Sequence, residues 1–138
     1  MSDVLSEIIS FLKNEGVVSG EGTDTFIDFR PETPDQVISL FEYPGLGRLN
    51  GGVGAVRSVQ ISVRSPKHDP LWAKNKAWEI YNELCLPEKI LDTRSSEYVT
   101  QESFWGVIEP RQTPFKILLD DNARTIYGFN IGLIVKED

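Results

Sequence analysis

Apolar residues at Val4, Leu5, Ile8, Ile9, Phe11 and Leu12 fall at i, i+1, i+4, i+5, i+7 and i+8, which is one face of a helix. Ser2 or Asp3 can cap its start, and Gly16 stands where a left-handed residue closes a helix. Residues 19–25 (SGEGTDT) read as loop. Phe26–Phe29 reads as a short strand stopped by Pro31 and Pro34. Val37–Tyr43, apolar on both faces, reads as a central strand ended by Pro44-Gly45. Glycines at 45, 47, 51, 52 and 54 then predict a mobile or tight loop over 45–54.

Val56–Ser65 carries the clearest period of two. Val59, Ile61 and Val63 alternate with Ser58, Gln60, Ser62 and Arg64, giving one core face and one polar face. Asp69-Pro70 predicts the cap and first position of a second helix. Its buried stripe is Ala73, Ala77, Ile80, Tyr81 and Leu84, and Pro87 ends it. Residues 88–96 read as either strand or loop. Tyr98–Glu109 alternates weakly, Phe115, Ile117 and Leu119 mark the next strand, and Asp120–Arg124 (DDNAR) reads as a hairpin turn. The last strand places Tyr127, Phe129, Ile131, Leu133 and Val135 on one face. Gly128, Asn130 and Gly132 on the other leave room for a helix or a neighbouring backbone. The order α-β-β-β-α-β-β-β predicts an α+β fold, a mostly antiparallel sheet with two helices packed on it. At 138 residues, without an internal repeat or low-complexity segment, the chain reads as a single α+β domain, 1–138.

Net charge is −7, which argues against a protein that grips nucleic acid but suits one that DNA slides past. With one cysteine, Cys85, the fold cannot depend on an internal disulfide. The N-terminus carries Asp3 and Glu7 where a signal peptide needs positive charge, and no apolar run reaches membrane-span length. The expectation is a protein made in the cytoplasm with no membrane partner.

Candidate chemistry is sparse. His68, the single histidine, has Ser65 and Asp69 close by in sequence. Adjacent loop residues do not easily place base and orienting carboxylate on opposite sides of one imidazole. Cys85 lies at the end of the second helix beside its apolar stripe and reads as an inert thiol. One His and one Cys cannot assemble a zinc site of His/Cys type. The run Gly45-Leu46-Gly47-Arg48-Leu49-Asn50-Gly51 imitates a nucleotide fingerprint, but its third glycine is misplaced and a strand follows where a helix is needed. Asp24, Asp28, Glu32 and Asp35 cluster around the first strand without EF-hand spacing. No catalytic, cofactor or metal residue is assigned. Trp72 and Trp78 lie off the core stripe of the second helix as placed and are candidate subunit contacts; a rotated stripe would instead make one of them core.

The ordered set of Pro34-Asp35, Tyr43-Pro44-Gly45, the strand Gln60–Arg64, the helix bearing Ala73 and Ala77, and the hairpin Gln112–Asn130 resembles the phage minor capsid or tail-completion proteins. The resemblance covers roughly residues 25–135, and its motifs are structural rather than catalytic. It implies a tail terminator of a long, non-contractile tail. Such a subunit would form a hexameric ring that caps the tube of major tail protein, ends its polymerisation and joins the head–tail connector or stopper. It would sit in the virion at the head-proximal end of the tail, made in the host bacterial cytoplasm, with DNA passing its lumen unbound. A head-tail stopper or adaptor is the alternative, and a small carboxylate-based hydrolase a third reading. A head-to-tail ring needs unlike patches on two sides of each subunit. Exposed sheet edges, the loop 45–54 and the turn 110–114 are the natural devices. The candidate interface residues are accordingly Gly47, Arg48, Leu49, Asn50, Trp72, Trp78 and Arg111, and the candidate lumen-facing acids Asp24, Glu32 and Asp35.

Overall fold

A computed structural model describes residues 4–48, 54–85 and 106–136. Helix α1 runs Val4–Asn14 and buries Leu5, Ile8, Ile9 and Leu12, the face the spacing predicts. It closes as a Schellman motif. Gly16, at φ 77°, donates to Lys13 O (3.0 Å), and Val17 N donates to Leu12 O (2.9 Å). Leu12 and Val17 join the same core, so the apolar contact that accompanies this motif is present.

The strands are β1 (Thr25–Ile27), β2 (Val37–Arg48), β3 (Gly54–Arg64), β4 (Gly106–Pro110), β5 (Phe115–Leu119) and β6 (Thr125–Lys136). Helix α2 (Pro70–Cys85) lies between β3 and β4 in sequence. They form one open sheet in the order β1-β2-β3-β6-β4, with β5 also on β6. All pairings are antiparallel except β1 with β2. The fold is therefore α+β with a mostly antiparallel sheet, as expected.

Several boundaries differ from the sequence reading. β1 stops at Ile27 and not at Phe29, because Asp28 turns to φ 65°. Its N–H donates to Leu40 O (2.8 Å), and its carboxylate accepts from Glu42 N (3.2 Å). β2 does not end at Pro44-Gly45. It passes through a register shift between Tyr43 and Gly47 and continues to Arg48, opposite Ala55. The bulge absorbs the proline that would otherwise break the ladder. Of the predicted loop 45–54, residues 45–48 are thus strand β2 and Gly54 opens β3, and Leu49–Val53 fall outside the described residues. The reading of 88–96, Pro87 and the first part of the strand predicted over 98–109 also fall outside them; 106–110 is β4.

The core lies between the two helices and one sheet face. Ile38, Leu40, Val59, Ile61, Val63, Phe129, Ile131 and Leu133 meet Leu5, Ile8, Ile9, Leu12, Ala73, Ala77, Ile80 and Leu84. Tyr81 packs edge-on to Phe129 at 5.3 Å, as its place in the predicted stripe requires.

The opposite face is polar at β3 and is covered by other means. Ser39, Ser58, Ser62 and Arg64 are buried there. β4 and β5 lie end to end along the same edge of β6, one facing 131–135 and the other 125–128. At the break between them Arg111 N donates to Asn130 O (3.0 Å). The small residues of β6 therefore do not receive a helix. Gly128 is closed in by the Ile61 carbonyl and Ile117, and Gly132 by the Arg111 guanidinium.

Candidate functional site

Beneath the polar face, the segment between β1 and β2 folds back and is pinned by arginines. Arg64, 2% exposed, donates to three main-chain carbonyls: Asp35 (3.0 Å), Pro34 (2.6 Å) and Glu32 (3.2 Å). Arg124, 5% exposed, donates to Glu32 O (2.9 Å), Glu32 Oε1 (2.7 Å), Asp35 Oδ1 (3.1 Å) and Asp120 Oδ2 (2.9 Å). Arg30 reaches Ser62 Oγ (2.9 Å) and lies over the Phe41 ring. Burial lowers the pKa of Arg30 and Arg64, and in Arg64 the neighbouring charge of Arg124 adds to it. In Arg124 burial acts the same way, but bonds to Asp35, Glu32 and Asp120 outweigh it and raise the pKa.

Asp120 organises the β5–β6 turn that feeds this cluster. Its Oδ1 accepts from Asn122 N and Arg124 N, both at 2.9 Å. Burial would raise the Asp120 pKa; the backbone bonds and the Arg124 pair outweigh it and hold the pKa below the ordinary 3.8. Glu42 is held below 4.5 chiefly by its hydrogen bond to Arg57. Depressed carboxylate values mean stabilisation that is present above the ordinary pKa and lost as pH falls through the folded one. Unfolding in urea at pH 7, 4.5 and 3 should show stability flat to about pH 4.5 and falling below it. The gap between wild type and Asp120→Asn should shrink over that acid limb. A gap that stays constant to pH 3 would mean that the Asp120 charge contributes nothing.

The candidate residues divide. Glu32 and Asp35 come together on Arg124, which also pairs with Asp120. Asp24 lies apart, accepting from Ser19 N (3.1 and 3.0 Å), Gly20 N (3.1 Å) and Thr25 Oγ1 (2.8 Å). Asp24 and Asp35 do border one shallow depression, with His68 and Trp72. Gly47 and Arg48 sit in β2 opposite Val56 and Ala55. Leu49 and Asn50 lie outside the described residues. Trp72 is half-buried against the core, with Lys76 Nζ 5.9 Å from its ring centre. Trp78 is 36% exposed and packs edge-on to Tyr81. Arg111 is exposed at the β4–β5 break, its guanidinium over Gly132.

Ser65, His68 and Asp69 do not converge. Ser65 is fully buried with Oγ 3.4 Å from the carbonyls of Pro70 and Thr125, while His68 and Asp69 are exposed. Cys85 is buried, and its thiol is pushed up to about 12 by burial, which leaves little thiolate to react. Among the described residues no group of three His, Cys, Asp or Glu could hold a metal ion, and no helix is long and apolar enough to cross a membrane.

Two features escape a reading of the sequence. The arginine anchor has only a faint signal there, a lone Arg64 in the polar phase of a strand. The apolar edge of β5 has a clearer one, Leu118 standing out of phase with Ile117 and Leu119. In the structure the register slips between Lys116 and Leu118, and Phe115, Leu118 and Leu119 are exposed at 39%, 46% and 54%.

The polar residues thus hold the chain's own segments, and the β5 edge leaves Phe115, Leu118 and Leu119 exposed. Residues 11–137 match the model of the bacteriophage tail terminator protein family. The chain belongs to that family, whose members are structural components of the phage tail. Among curated proteins none matched the chain.

Proposed function

We propose that the chain acts as one domain that closes into a hexameric ring at the head-proximal end of the tail. The ring ends polymerisation of the tube and presents the surface that joins the head connector. One observation carries this reading beyond family membership. The sheet is open, and its two lateral sides are built from different strands, β1 on one and β4 with β5 on the other. Two unlike sides are what a head-to-tail contact between copies requires, and such contacts close into a ring when the rotation permits. The net charge of −7 suits a passage for DNA that must not adhere.

Purified protein mixed with tail tubes, followed by native mass spectrometry and electron microscopy, tests the reading. The expected species is six copies of the 15.6 kDa chain, seen as one ring at the tube end. A protein that stays monomeric at every concentration and leaves tubes uncapped overturns it, as does a position on the head side of the connector.

A further inference from the structure

The two lateral strands lie at opposite ends of the same cross-strand rows. Thr25, Ile38, Val63, Tyr127 and Lys116 form one row, and Phe26, Ser39, Ser62, Gly128 and Phe115 the next. β1 therefore ends one side of the sheet at the level where β5 ends the other. The pairing senses along the sheet make β1 and β5 run in opposite directions.

Both ends carry apolar side chains in water. Phe29, just past β1, is 53% exposed, and on β5 so are Phe115, Leu118 and Leu119 as given above. Edge strands are ordinarily protected by charge, proline or a covering element. β5 has three exposed large hydrophobics in five residues and a single charge, Lys116. Exposed Asp28 stands beside Phe29, with partly buried Arg30 on its other side, and exposed Lys116 stands on β5, with exposed Asp121 in the turn that follows.

We infer that these two edges are the junction between neighbouring copies of this chain. Phe115, Leu118 and Leu119 of one copy pack on Phe29 of the next, and Lys116 faces Asp28. The inference rests on the ring reading above and adds which residues meet. The contact takes apolar surface out of water, and the charge pair fixes orientation and register.

Two variants test it. Leu118→Asp/Leu119→Asp spoils the β5 edge, and Phe29→Asp spoils the β1 edge. With circular dichroism and thermal midpoint showing a folded chain, each alone should be monomeric under conditions where wild type forms rings. Mixed in equal amounts they should give dimers and nothing larger, because each pair retains one intact junction. Lys116→Glu, a single exposed charge reversal that leaves the core untouched, should raise the concentration for half-assembly about tenfold. Rings formed by any spoiled-edge variant, or a mixture that stays monomeric, overturn the junction while leaving the ring reading intact. Variants that still form rings but no longer cap tubes would make this edge a tube contact and overturn it equally. A wild type that never forms rings overturns both.

Discussion

Arg64→Met is expected to lower the unfolding free energy by about 3 kcal/mol, read by urea unfolding at pH 7. Methionine keeps most of the aliphatic packing, so the loss reports the guanidinium. That group is 2% exposed and serves the carbonyls of Glu32, Pro34 and Asp35 together. Charge-assisted hydrogen bonds contribute about 1.5–3 kcal/mol each at most, and the three share one donor group, so their effects do not add. Hydrogen exchange should show residues 29–36 opening first, because the anchored segment covers the polar face and carries Glu32 and Asp35 to Arg124. The double variant Arg64→Met/Arg124→Met should lose less than the sum of the singles, since both side chains hold the same segment. A loss under about 1 kcal/mol would mean that water replaces the arginine at those carbonyls without cost.

Gly128→Ala should be comparably damaging, about 3 kcal/mol or failure to fold. A β-carbon there would collide with the Ile61 carbonyl oxygen and come within 2.8 Å of Ile117 Cδ1 and 3.2 Å of Ser62 Cα. Two of those three neighbours are backbone of the adjacent strand and cannot move without disturbing the β3–β6 ladder. Gly132→Ala is the control. Its obstacle is the Arg111 guanidinium, the far end of a flexible side chain, so the cost should stay below about 1 kcal/mol. Thermal denaturation of the two variants side by side decides the matter. Equal effects would show that strand propensity, and not the close approach, governs both positions.

The contrast between these two glycines shows where a sequence reading stops. Both occupy the same phase of the final strand, and both read as room for something to approach. A helix was one expectation; the structure instead sets backbone and Ile117 against one and Arg111 against the other. The two glycines owe that difference to a break in the edge strand, which places β4 and β5 end to end along β6. The same edge explains Leu118. A period of two allows one apolar face in FKILL; Phe115, Ile117 and Leu119 are read as that face, and Leu118 is passed over. Its meaning needed the register slip and the exposure. The candidate acids divide likewise, Glu32 and Asp35 meeting on Arg124 across 92 and 89 residues while Asp24 serves the turn at Ser19 and Gly20.

Local periodicity was enough to specify the helices, most strand positions, the core face of β3 and β6, and the α+β class. These follow from short-range spacing, which sets how each segment buries its apolar side. Ser65, His68 and Asp69 do not converge, in line with the expectation that adjacent loop residues do not easily place base and orienting carboxylate on opposite sides of one imidazole. The tertiary structure alone decided the parallel pairing of β1, the passage of β2 through Pro44-Gly45, the arginine anchor beneath the polar face and the level at which the two apolar edges lie. Each depends on residues far apart in the chain meeting in one place, and no local pattern encodes which partner an arginine or an edge strand will find.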